Sequence, residues 1–166
     1  MVLRHDVGGQ APGFALKDAA GRDVALDGYR GQRLVVLVFF AGGYDRDAVR
    51  NLRALAERYP RIREDGAEVL AITPELPGKV QTLVEKLDLP FPVLSDPDMK
   101  VVKEYDVYDP TYNWTWPAAF IVDREGVIQY AFRGASPPNT PPVEYILLKL
   151  TQMKEGGAPV AGRAKA

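Results

Sequence analysis

The residues best placed to do chemistry lie in one run, Gly42-Gly43-Tyr44-Asp45-Arg46-Asp47. An apolar stretch, Val35 to Phe40, precedes it. Apolar positions at helical spacing follow it: Ala48, Val49, Leu52, Leu55, Ala56 and Tyr59. A strand, a tight turn and a helix start bring unpaired backbone N–H groups and the positive end of a helix dipole to one point. The side chain delivered there is a carboxylate, Asp45. It can cap the helix, accepting from an N–H near Asp47 or Ala48. It can work with Asp47 as a general acid or base, although a helix N-terminus favours the ionised form over a raised pKa. It can bind a cation with Asp47, but two carboxylates alone make a poor set, so no metal and no cofactor are expected.

A second set of candidates is aromatic: Tyr44, Tyr112, Trp114 and Trp116, the last followed by Pro117. If Trp116-Pro117 forms a cis-proline turn, these rings surround the mouth of the site at Tyr44 and Asp45. They would then line an apolar pocket for a small ligand or a patch for a protein partner. The alternative is that they cover the end of a sheet or bury a homodimer contact. Arg46, Arg50 and Arg53 read as a solvated helix face in preference to an anion patch. Arg124-Glu125-Gly126 reads as a hairpin turn, and Pro137 to Pro142 as a rigid connector in preference to a recognition segment.

Composition removes several function classes. The chain has no cysteine, so thiol nucleophiles, disulfides and thiolate metal sites are excluded. Its one histidine, His5, reads as a surface residue in a loose N-terminal arm, which leaves His–His metal motifs and a Ser/His/Asp triad unsupported. Lys and Arg number 21 against 22 Asp and Glu, a formal net charge of −1, so no general attraction to nucleic acid or anionic membrane is expected. No apolar run approaches the roughly 20 residues of a membrane span, and no signal peptide is evident. A cytoplasmic location is the expectation.

The elements that must position these residues follow in order. Gly13 to Leu16 and Asp23 to Leu26 suggest a hairpin around Ala20-Gly21. Arg33 to Phe40 reads as a central strand covered on both faces. The helix after Asp45 should end or kink at Pro60. Ala67 to Thr73 is a second buried strand, Pro77 to Leu87 a helix, and Phe91 to Leu94 a short strand. Asp98 to Tyr105 is a short helix burying Met99, Val102 and Tyr105. Asp109 to Trp116 is an aromatic loop, and Ala118 to Asp123 with Val127 to Arg133 form a hairpin. A last helix spans about Val143 to Lys154. Strands alternating with helices imply an α/β fold with a mainly parallel centre, antiparallel partners and helices on both faces. One domain over residues 1–155 is expected, with a flexible tail over 156–166.

Three segments carry a family resemblance. Gly8 to Phe40 resembles the opening of the peroxiredoxins, the alkyl hydroperoxide reductase / thiol-specific antioxidant family. Phe91 to Tyr108 is similar to that family's strand, acidic turn and short helix. Trp116 to Gly134 is similar to its closing hairpin. The resemblance spans roughly residues 8–153 and implies a thioredoxin-like, peroxiredoxin-type fold: a central mixed sheet flanked by helices, with an N-terminal β-hairpin. It also implies a cysteine at the first turn of the helix after the central strand. Aligned on Gly42-Gly43 with the Gly-Gly-Trp-Cys-x-x-Cys subgroup, the tryptophan position holds Tyr44 and the two cysteine positions hold Asp45 and Ala48. The broader pattern's proline and threonine fall on Val38 and Gly42, and its arginine falls near Pro117. The family chemistry would be peroxide reduction; these residues lack the sulfur it needs. A binding or assembly protein is the first expectation. The second is an antioxidant or oxidoreductase enzyme with a non-thiol mechanism.

Overall fold

A computed structural model describes residues 6–156. His5 and all of the expected tail except Gly156 lie outside the described residues. Strand β3 (Leu34–Phe39) is apolar throughout and buried along its whole length. Such a strand needs neighbours on both edges and packing on both faces. It pairs in parallel with β4 (Ala67–Thr73) and antiparallel with β8 (Ala118–Val122). Beyond β4 lies β5 (Val93–Ser95), parallel to it, then the antiparallel hairpin of β1 (Ala15–Lys17) and β2 (Asp23–Ala25). Beyond β8 lies β9 (Ile128–Arg133). The mixed sheet therefore runs β2-β1-β5-β4-β3-β8-β9.

Alternation along the strands divides the core in two. Val36, Val38 and Phe40 face one side, with Leu52, Leu55 and Ile62 of helix α1 (Arg46–Glu64), Val80 and Leu83 of α2 (Pro77–Leu87), and Ile146 and Leu150 of α4 (Val143–Gly156). Leu37, Phe39, Leu70, Ile72 and Phe120 face the other, with Val101 and Val102 of the short α3 (Lys100–Glu104) and Tyr105 just after it. This is the expected α/β arrangement with helices on both faces. No helix among the described residues is long and apolar enough to cross a membrane.

Three local expectations are corrected. Helix α1 does not end at Pro60 but continues to Glu64. The extra turn carries Ile62, which is completely buried, and closes with the Asp65 N–H donating to the Arg61 carbonyl at 3.1 Å. Burial of that apolar side chain, worth about 1.5–3 kcal/mol, offsets much of what the proline costs. The aromatic loop contains a small ladder, β6 (Tyr108–Asp109) against β7 (Trp114–Thr115). Its turn is organised by the Asp109 carboxylate, which accepts from the Thr111 N–H at 2.8 Å and the Trp114 indole N–H at 3.1 Å. Finally, no cis peptide occurs among the described residues, so Trp116-Pro117 is trans. The Trp116 N–H donates to the Val107 carbonyl at 2.9 Å and the Pro117 carbonyl accepts from Gly134 at 2.7 Å, so the chain enters β8 directly in the ordinary isomer.

Tyr105 fixes the second half of the core to the N-terminal segment. Its ring is fully buried against Phe39 and Phe120, at centroid distances of 5.3 and 5.2 Å. Its hydroxyl donates to the Pro12 carbonyl at 2.7 Å. Tyr105→Phe keeps the packing and strands that carbonyl, so stability should fall by about 1–3 kcal/mol. Urea unfolding followed by tryptophan fluorescence measures it; an unchanged midpoint would show the hydrogen bond to be dispensable.

Candidate functional site

The site forms where β3 and β4 end side by side. The Phe40 N–H donates to the Ile72 carbonyl at 3.0 Å, and the Thr73 hydroxyl donates to the Ala41 carbonyl at 3.2 Å. These bonds hold the two strand ends together as the chain leaves β3. The chain then turns at Gly42-Gly43, with the Asp45 N–H donating back to the Gly42 carbonyl at 3.1 Å. Asp45 itself is extended and begins α1. One of its carboxylate oxygens accepts from the Asp47 N–H at 3.0 Å and the Ala48 N–H at 3.4 Å. Two of the helix's N-terminal donors, the Asp47 and Ala48 N–H groups, are thus met by a side chain of the same chain, and the dipole further favours that negative charge.

A second carboxylate, not anticipated from the sequence, reaches the same turn. Glu75 follows β4, and one oxygen of its carboxylate accepts from the Gly43 N–H at 2.9 Å. Its backbone is pinned on both sides: its N–H donates to the Thr73 hydroxyl at 3.3 Å, and its carbonyl accepts from the Ser95 hydroxyl at 2.6 Å. A Cβ on Gly42 would lie 2.6 Å from the Tyr44 ring and 2.8 Å from the Glu75 carboxyl carbon, so a larger residue there would have to push these two side-chain ends aside. Partial burial first, and then the Glu75 and Asp45 carboxylates, raise the Tyr44 hydroxyl above the ordinary tyrosine range. Tyr44 therefore stays protonated at neutral pH. The signal that could have found Glu75 is topological: adjacent parallel strands place their C-terminal loops together.

The other side of Asp45 is closed by the proline-rich segment after β9. Asn51, one turn into α1, donates from its side-chain amide to the Pro141 carbonyl at 2.9 Å. The loop folds on itself where Ala135 N–H donates to the Asn139 side chain at 2.9 Å. It is fastened to β8 by the Gly134–Pro117 bond, and a Cβ on Gly134 would run into the Asn139 carbonyl. What remains between Asp45, Ala48, Asn51, Pro117, Thr140 and Pro141 is a cavity of about 10 Å³, the room of a single water.

None of the aromatic candidates Tyr44, Tyr112, Trp114 and Trp116 lines this cavity. Tyr44 stands outward, 70% exposed, beside Gly42 and Glu75. Trp114 and Trp116 pack on each other edge to face at 5.5 Å, and Trp114 is anchored to Asp109. Pro117 alone of that group lines the Asp45 cavity with it. Tyr112 is exposed at the tip of the small ladder. An arginine does reach this end of the sheet: Arg133 lies opposite Ala118 in register. Its guanidinium sits over the Phe120 ring at 4.9 Å and donates to the Tyr105 carbonyl at 3.0 Å, on the sheet face away from α1. Among the described residues, no group of three or more His, Cys, Asp or Glu side chains converges to hold a metal.

The model of the AhpC/TSA family matches residues 7–131. Peroxiredoxin Q, chloroplastic, of Oryza sativa subsp. japonica is 32% identical over 133 residues, 79% of this chain and 60% of the rice protein. The chain thus spans about three fifths of the length of that plant relative. Alkyl hydroperoxide reductase E of Mycobacterium tuberculosis is 33% identical over 128 residues, covering 76% of this chain and 84% of the relative. Among solved structures, peroxidoxin BcpB from Mycobacterium tuberculosis superposes with a TM-score of 0.81 at 17% identity, over 90% of this chain and 98% of that one. That likeness is one of fold.

The Asp45 geometry has a direct consequence for stability. Asp45→Ala removes the acceptor for the Asp47 and Ala48 N–H groups and should lower stability by about 0.5–2 kcal/mol. Asp45→Asn keeps an acceptor oxygen and should lose only a few tenths. Thermal unfolding of the two variants beside the parent protein checks this; equal losses would show that capping is not the role of the side chain.

Proposed function

The chain belongs to the AhpC/TSA family, and from that premise we propose that it is a member retired from thiol chemistry that acts by binding or assembly. One observation carries the reading. The position that would hold a peroxide-reactive sulfur holds Asp45, and Asp45 is spent on capping α1 inside a cavity of about 10 Å³. Peroxide reduction by a thiol requires a thiolate that attacks the O–O bond and becomes a sulfenic acid. A carboxylate has no such two-electron cycle, and the chain has no cysteine elsewhere to supply one.

The surroundings support the same reading. A site for peroxide has to admit a molecule larger than one water and aim donors at it. Here the N–H groups of Asp47, Ala48 and Gly43 already have carboxylate acceptors from the chain itself. Two carboxylates also make the turn unwelcoming to a further anion, including a developing oxyanion. The surface just outside remains open, with Tyr44 and Leu76 exposed at 70% and 63%. A small ligand, a protein partner or a second copy of the chain would meet the molecule there, and not at the half-buried capping carboxylate.

The second reading, an enzyme of the antioxidant family with a non-thiol mechanism, requires an opened pocket at Asp45. The two are separated by measuring hydrogen peroxide consumption by the metal-free protein with a dithiol as electron donor. Consumption should equal that of buffer with the donor alone. Turnover that Asp45→Asn abolishes would overturn the proposal.

A further inference from the structure

The first two turns of α1 carry Arg46, Arg50 and Arg53, at spacings of four and three residues. These spacings put all three on one face of the helix. With Gly43 and Val49 they line an open cleft of about 380 Å³, far roomier than the cavity on the other side of Asp45. Arg50 shares its charge with Asp47 at 3.2 Å. The guanidinium groups of Arg46 and Arg53 make no ion pair with any described residue. Elsewhere on α1, by contrast, Arg58 pairs with Glu144, Arg61 with Asp65, and Arg63 with Glu68. The charges left over are those around the cleft.

Val49 lines the cleft beside the arginines, and the exposed Tyr44 adjoins in sequence the Gly43 that also lines it. Exposed tyrosine and arginine around an apolar centre are the residues that carry most binding energy at protein interfaces. We propose that this face is a docking surface for an acidic polypeptide segment, its carboxylates paired with Arg46 and Arg53 and its apolar residues laid against Val49 and Tyr44. The proposal rests on the binding role argued above and names the partner class for it.

Spacing agrees with a peptide. Arg46 and Arg53 are separated by about 10.5 Å along the helix, a span that one carboxylate does not bridge and that about three residues of extended chain cover. Guanidinium groups also take carboxylates in a two-pronged fork, which gives register as well as attraction. A smaller anion gains less, because it would approach Gly43 with Glu75 already at that N–H.

The test uses the full chain and a fluorescein-labelled oligo-glutamate peptide, read by fluorescence anisotropy at low and high salt. An oligo-lysine peptide and an oligothymidylate of equal length are run beside it. Binding of the glutamate peptide is expected, weakening with salt. The double variant Arg46→Gln with Arg53→Gln should weaken it at least about tenfold, with an unchanged unfolding midpoint. Arg46→Lys with Arg53→Lys keeps the charge without the fork and should recover part of the loss. No binding of the glutamate peptide, binding indifferent to the double variant, or equally tight binding of the oligothymidylate would each overturn the surface. Those results leave the retired redox centre standing, whereas peroxide turnover dependent on Asp45 would remove that reading without touching the peptide result.

Discussion

Backbone N–H groups at the start of a helix must find acceptors, and in this protein the acceptors are carboxylates of its own chain. Asp45 takes the Asp47 and Ala48 N–H groups, and Glu75 takes that of Gly43. The constraint is general: four donors at a helix start have no partner within the helix. A protein that keeps them free has a ready anion site. One that fills them from within has a firm joint between strand and helix. The turn at Gly42-Gly43 is built as the joint.

The rest of the local structure follows from that choice. With a charged acceptor inside the turn, the neighbouring segments can pack down on it. The loop over residues 134–142 does so, fastened through Gly134 to Pro117 and through Pro141 to Asn51. Glu75 packs from the opposite side, held by Thr73 and Ser95. The family scaffold is preserved around this point, while what the scaffold would present there is enclosed. The outer face of α1 stays open, with Arg46, Arg50 and Arg53 exposed to solvent.

The strand–turn–helix unit was legible because its signals are local. A short, unbroken apolar run rich in β-branched residues reads as a doubly covered strand, and an aspartate after Gly-Gly and before a helical repeat reads as a cap by type and position. Glu75 was not legible, because it lies 32 residues from Gly43 and meets it only through the parallel pairing of β3 and β4. The Asn51–Pro141 bond spans 90 residues and depends on where α4 docks. Pro60 misled for a related reason: a proline's local preference gave way to the burial of Ile62. The grouping of the aromatics depended on a cis turn at Trp116-Pro117, an isomer that local sequence does not decide. Asp109 instead draws Trp114 into its own small ladder, and the trans bond at Pro117 leads the chain straight into β8.

The central claim is that this helix terminus is closed by packing and charge, so that more than a sulfur atom separates it from a peroxide-reducing centre. The most direct measurement is the rate at which the sole thiol of an Asp45→Cys variant reacts with hydrogen peroxide, set against a free thiol such as glutathione at the same pH. A closed terminus gives a rate no greater than that of the free thiol. A rate higher by orders of magnitude would contradict it, showing a pocket still shaped for peroxide and lacking only its nucleophile.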